Sequence, residues 1–179
     1  ALNMGLTEAE LPEIVSRGRQ ANLRIVDLWY SIENAAFQAM ETGVAGAAKG
    51  IIFAIENTKE LSFLTIQLPS GRKLFYCNPF FSRNEKGRNA LYYYGVDQTS
   101  KKWGPISTYG GKLTENIVQA IARDCLAENI VRLEALGYLV VMHIHDEVII
   151  EAPSDNAEAK LEYACELMGQ PISWAPGLL

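Results

Sequence analysis

Residues 138–153 read YLVVMHIHDEVIIEAP. Val140, Val141, Ile144, Val148, Ile149 and Ile150 have the makings of one long buried strand, yet His145, Asp146 and Glu147 interrupt it. Two apolar runs flanking so short a polar break predict a tight β-hairpin, because Asp tolerates turn conformations. Adjacent carboxylates at the end of an apolar hairpin cost desolvation unless a cation compensates. Hard carboxylate oxygens suit Mg2+ or Mn2+, which keep several waters and take one or two protein carboxylates plus substrate phosphate oxygens. Strand alternation sends Asp146 and Glu147 to opposite sides, so Asp146 is the expected direct ligand and Glu147 its neighbour.

Two other readings of the same residues stay open. The tripeptide is equally well a polar, solvent-exposed turn. Alternatively, His143-x-His145 on one strand face, followed by Asp146, resembles the HxH pattern of zinc-dependent hydrolases. The chain has two histidines in all, so such a site needs carboxylates or cysteines from elsewhere.

Upstream of the hairpin, TEAE (Thr7 to Glu10) has the pattern of a capping box and predicts a helix from about Thr7 to Arg19. Asn22 then caps a longer helix, in which Ile25, Leu28, Trp29, Ile32, Ala35, Ala36, Ala39 and Met40 form one apolar stripe until Gly43. From Gly50 the period changes to two, and GIIFAI, LSFLTIQL, RKLFYC and ALYYYGV read as antiparallel strands separated by PSGR and NEKGRN turns. A loop around WGPISTYGGK leads to a helix over about Leu113–Leu136, with Ile117, Ile121, Leu126, Ile130 and Leu133 on its buried side and Gly137 closing it. Asn156–Met168 is helical. Helices and strands that run in blocks, without alternating βαβ units, indicate an α+β fold.

The bulk numbers agree with one soluble globular domain: 179 residues, 49% hydrophobic and 21% charged. No segment reads as a membrane span or an export signal. Cys77, Cys125 and Cys165 are odd in number and far apart, which predicts buried free thiols in a reducing cytoplasm. The net charge of -5 conceals a segregation. Residues 1–42 carry 3 basic and 6 acidic side chains, residues 43–112 carry 10 and 4, and residues 113–179 carry 3 and 11. A basic middle beside an acidic end is compatible with phosphate contact by one segment and cation binding by another, and also with a mixed solvated surface. The aromatic cluster Tyr92, Tyr93, Tyr94 and Trp103 reads as core, although such rings can also stack on bases.

The stretch YGGKLTENIVQAIARDCLAENIVRLEALGYLVVMHIHDEVIIEAP, Tyr109 to Pro153, resembles the last third of a family A DNA polymerase, the class of bacterial DNA polymerase I and, more closely, of phage replicative enzymes. MGLTEAELPEIV and ANLRIVDLWYSIENAA are similar to the helices that follow the nucleotide-binding helix of the fingers, and LPSGRKLFY to the family's T-x-x-G-R hairpin. The resemblance implies an antiparallel palm-like sheet with packed helices over residues 50–179 and a partial helical fingers region over residues 1–49. It implies a DNA-directed DNA polymerase that extends a primer from dNTPs, with two Mg2+ or Mn2+ ions in the intact enzyme. By the same likeness Asp146 is the catalytic metal ligand, Glu147 the neighbouring acid that tunes the site, and His145 the imidazole near the primer terminus. Gln119 matches a glutamine that reaches the duplex minor groove. Four residues earlier, where the family commonly has Asn, this chain has Glu115, with Asn116 one place on. Lys112 and Arg72 match basic residues that touch the nucleic-acid backbone.

Two family motifs have no counterpart. The D-x-S-x-I-E string that supplies the first aspartate is absent, as is the R-x3-K-x6-Y-G helix that grips the triphosphate. The chain also stops after SWAPGLL, where the family usually continues into a closing strand, so the resemblance implies a fragment cut at both ends and inactive alone, in a bacterial or phage-infected cytoplasm, and exposed core in such a fragment leads us to expect a homodimer. A non-catalytic nucleic-acid-binding module of the same fold is the alternative.

Overall fold

The computed structural model describes Thr7, residues 9–84 and residues 87–177. Glu8 of the expected capping box, Glu85 and Lys86 of the NEKGRN turn, and the two chain ends lie outside the described residues. The elements are α1 (Leu11–Ala21), α2 (Leu23–Thr42), β1 (Gly46–Ala48), β2 (Ile51–Asn57), β3 (Ser62–Gln67), β4 (Lys73–Arg83), β5 (Asn89–Val96), β6 (Trp103–Thr108), α3 (Gly110–Ala135), β7 (Leu139–Ile144), β8 (Glu147–Glu151) and α4 (Ala157–Met168). The α+β expectation holds, with six strands in an antiparallel meander, β1 to β6 in order, and a separate β7–β8 hairpin. No helix among the described residues is long and apolar enough to cross a membrane.

The chain divides into two compact units. The first contains the described residues up to Ile66 together with Lys73–Glu115; the second contains Gln67–Arg72 and the described residues from Asn116 on. In the first unit α2 lies on one face of the meander. Ile32, Ala35, Ala36 and Ala39 of α2 are buried with Phe53, Leu64, Ile66 and Leu91 of the sheet, and Phe37 meets Phe81 edge-on at 4.9 Å between ring centroids. Gly43 ends α2 in the left-handed conformation, at φ +67°.

The helix starts depart from the sequence reading. Glu10 reaches back to the Thr7 backbone N–H at 2.8 Å, the reciprocal half of a capping box, but α1 begins only at Leu11. The Asn22 side chain does not cap α2; its amide donates to the Gly18 carbonyl at 2.9 Å and so completes the end of α1. The apolar stripe of α2 is covered only in its second half, for Ile25 is 48% exposed and Ile32 is 1% exposed.

Strand β6, expected as loop, carries Gly104 and Pro105, and such residues survive in a strand at an edge, the place β6 holds. The free thiols are half-buried at Cys77 and Cys125 but exposed at Cys165. Cys165 departs from the expected burial because, next to buried Ala164 on α4, it faces an open cleft rather than the core. Burial, and after it the Asp124 charge, pushes the Cys125 thiol up from its ordinary pKa.

In the second unit, Leu133 of α3 and Ala164 and Leu167 of α4 form a small core, against which Tyr138, Val140, Val148 and Ile150 of the hairpin pack. Gly137, at φ +82°, ends α3, and the Tyr138 N–H returns to the Leu133 carbonyl at 3.1 Å. Arg132 ties α3 to the end of α4, donating to the carbonyls of Leu167 at 2.7 Å, Gln170 at 3.2 Å and Pro171 at 3.3 Å. Those carbonyls lose a charged donor in Arg132→Ala. A fall in stability of about 2 kcal/mol is expected, read as a lower urea midpoint at an unchanged slope; an unchanged midpoint would remove the clamp from the argument.

Candidate functional site

The predicted hairpin is present, closed by a two-residue turn of His145 and Asp146 with Ile144 opposite Glu147. The residue in the left-handed region is the histidine, at φ +52°, not the aspartate. That conformation costs a non-glycine residue about 1 kcal/mol.

Burial differs from the expectation. Val140, Val148 and Ile150 face the small core, but Leu139, Val141, Met142, Ile144 and Ile149 are all more than two-fifths exposed. His145, Asp146 and Glu147 are exposed as well. The hairpin thus buries one face alone, and no described element covers the other. With both carboxylates in solvent, desolvation within this chain does not require a cation. What remains for a metal is the chemistry of the donors.

Asp146 and Glu147 line a cleft of about 690 Å3 whose walls include Val148 and Ile150 of β8 and Ala164 and Met168 of α4. No cluster of three or more His, Cys, Asp or Glu side chains able to hold a metal exists among the described residues. Adjacent exposed carboxylates still fit an Mg2+ or Mn2+ ion that draws its other ligands from water and phosphate. They do not fit a zinc cage. The HxH reading also loses its geometry, because His143 is in β7 whereas His145 is in the turn, so the two do not share a strand face. His143 instead lies 3.5 Å from the Arg123 guanidinium of α3.

The other candidates sit along α3 and the β3–β4 turn. Gln119 is exposed, one helical turn before Arg123, and Asn116 is half-buried a further turn back. Within the second unit the Arg123–His143 contact therefore joins the Gln119 face of α3 to the strand that leads into His145 and Asp146. Lys112, in the first unit, is paired with Glu115 at 3.0 Å, and that hydrogen bond holds its ammonium above the ordinary pKa. Glu115, placed where an asparagine was expected, partly neutralises the neighbouring cation.

Arg72 is committed more firmly. Its Nε donates to Asp124 at 2.5 Å and its Nη2 to the Ala120 carbonyl at 2.7 Å, while the Ser70 hydroxyl donates to the other Asp124 oxygen. Asp124 is 10% exposed and Arg72 43%. Sequence reading missed this clasp, since the two residues are 52 positions apart. Asp124→Ala strands a half-buried guanidinium and a hydroxyl, with an expected loss of about 2–3 kcal/mol in urea unfolding.

No family model matches the chain, and no solved structure does. The chain is 48% identical over 180 aligned residues to the DNA polymerase of Bacillus phage SP02, an alignment that takes in 99% of this chain and 27% of the phage protein. It therefore spans about a quarter of that relative's length and is similar, from end to end, to one part of a phage DNA polymerase.

Proposed function

We propose that this chain is the palm-like and partial fingers segment of a family A DNA-directed DNA polymerase, from the C-terminal part of the parent and acting in the cytoplasm of a phage-infected bacterium. Residues 1–49 belong to the fingers and residues 50–179 to the palm in this reading, an assignment that rests on sequence likeness. The observation that carries it is the two-residue turn presenting Asp146 and Glu147 in solvent at the mouth of a cleft, in a chain 48% identical to a phage DNA polymerase.

Asp146 and Glu147 would hold one Mg2+ or Mn2+ ion of a pair, which when bound supplies Lewis-acid activation of the primer 3′ oxygen and charge compensation at the phosphate. Within the chain, Asp146 presents its carboxylate directly and Glu147 fixes the local negative field. The His145 imidazole, held beside Asp146 by the turn, positions the primer end. Gln119 reads the minor groove of the primer-template duplex, with Asn116 beside it. Lys112 and the exposed part of Arg72 meet phosphates, the latter as a cation already oriented by Asp124.

Two-metal phosphoryl transfer needs a second carboxylate arm, and this sequence offers one such motif. The chain alone is accordingly inactive in this reading. Sequencing the coding region upstream of Ala1 tests it. The reading requires an in-frame D-x-S-x-I-E motif and an R-x3-K-x6-Y-G helix there, and an upstream frame lacking both would defeat it.

A further inference from the structure

The side of the meander opposite α2 carries a row of aromatic rings. The register places Tyr92 against Ser107, Tyr94 against Pro105 and Val96 against Trp103, with Phe80 of β4 across from Tyr92. Alternation sends Leu91, Tyr93 and Ile106 to the other face, toward Phe81 and α2. The aromatic cluster is thus split: Tyr93 packs edge-on against buried Tyr76 at 4.9 Å, whereas Tyr92, Tyr94 and Trp103 point away from the helix. Phe80 stacks on Tyr92 at 5.5 Å and lies 5.7 Å from Tyr94. Trp103 is 63% exposed and Tyr94 38%, and Phe75, two residues before the Cys77 that pairs with Tyr94 and so on the same face, is 58% exposed. An ordinary soluble sheet seldom leaves its largest rings in water.

The charge around these rings has one dominant sign. Residues 43–112 hold 10 basic against 4 acidic side chains in a chain of net charge -5. Lys101 and Lys102 immediately precede Trp103 and are exposed, and Arg88 is exposed in the β4–β5 turn at the opposite end of the strands. Three of those cations are already paired, Lys73 with Glu56 at 2.6 Å, Arg72 with Asp124 and Lys112 with Glu115, which leaves seven basic side chains against three acidic ones; Asp97, in the same turn as Lys101 and Lys102, keeps its charge while accepting from the Ser100 N–H at 2.6 Å. Rings in a row with cations at both ends form a surface suited to a strand of phosphates and bases, because each base has a face to stack and each phosphate a charge to place.

We propose that this open face is a stacking platform for single-stranded DNA, separate from the Asp146 hairpin. Bases lie over Trp103, Tyr94 and Phe75 while Lys101, Lys102 and Arg88 meet the backbone. The choice of a nucleic acid over a protein rests on the polymerase reading and on the charge.

The test is fluorescence anisotropy of a short fluorescein-labelled oligo(dT) titrated with the 179-residue chain. Trp103→Ala and Tyr94→Ala should each weaken binding roughly ten-fold, as expected when one stacked base is lost, with the far-UV spectrum unchanged. Lys101→Glu should weaken binding and flatten the salt dependence, which the aromatic variants leave as it was. Aromatic variants that bind oligo(dT) like the wild type would overturn the proposal. So would a chain that light scattering shows to be a dimer dissolved by Trp103→Ala, since the face would then be covered by a second copy. The polymerase reading is tested separately, by primer extension with Asp146→Asn, and either can fail alone.

Discussion

Asp146→Asn lowers kcat for primer extension by roughly 10³-fold in an intact polymerase carrying this chain, while KM for the dNTP and the unfolding midpoint stay near wild type. The size follows from what a divalent ion contributes to phosphoryl transfer, several kcal/mol of charge stabilisation in the transition state, and from the factor of ten in rate that each 1.4 kcal/mol represents, about. An amide in place of the carboxylate keeps the size and polarity of the side chain but removes the anionic oxygen a hard cation requires. The stability half of the expectation follows from exposure: Asp146 lies in solvent at the tip of the hairpin, and surface substitutions away from special features usually change stability by less than about 0.5 kcal/mol. Loss of activity without loss of fold is therefore the signature. A variant that extends primers at the wild-type rate removes Asp146 from the chemistry, and one that unfolds early makes the residue structural. The isolated chain, assayed beside the intact enzyme, should show no extension above background with either side chain.

The periodic elements were legible in the sequence because periodicity records burial directly. The stripe from Ile32 to Ala39, the four alternating runs after Gly50 and the burial of Ile117, Leu126 and Leu133 on α3 appear where the pattern puts them, while Ile121 and Ile130 are only half-buried. The two-residue hairpin turn was legible too, although the residue that adopts the strained backbone is His145 rather than Asp146. What the pattern could not show is which apolar residues this chain leaves uncovered. Val141, Ile144 and Ile149 read as part of one buried strand, and they stand in solvent. Composition likewise could not divide Tyr92, Tyr93 and Tyr94 between two faces; that division needs the register with β6, a strand hidden by its Gly104 and Pro105. The Arg72–Asp124 clasp escaped for a different reason, since ion pairs between distant segments leave no local trace.

Glycine carries a second large effect. A Cβ at Gly46 would run into the Ala35 carbonyl oxygen and stand 3.1 Å from its carbon. At Gly110 the corresponding group meets the Trp29 carbonyl oxygen and lies 2.9 Å from that carbonyl carbon. Both obstacles are backbone atoms of α2, so no rotamer change relieves them. Either the helix shifts away from β1 and from the start of α3, or the substitution strains the backbone. At Gly110 the shift would also break the hydrogen bond from its N–H to the Glu33 carboxylate, 3.1 Å, which anchors the first turn of α3. Overpacking ordinarily costs about 1–3 kcal/mol, and a clash against main chain belongs at or above the upper end. Gly46→Ala and Gly110→Ala should therefore each destabilise the first unit by about 3 kcal/mol, whereas Gly104→Ala, with open space at its Cβ, should cost far less. Urea denaturation of the three variants decides the matter. If Gly110→Ala unfolds at the wild-type midpoint, the close approach of α2 to the first turn of α3 is not a feature of the folded protein, and the placement of Lys112 in that turn must be redrawn.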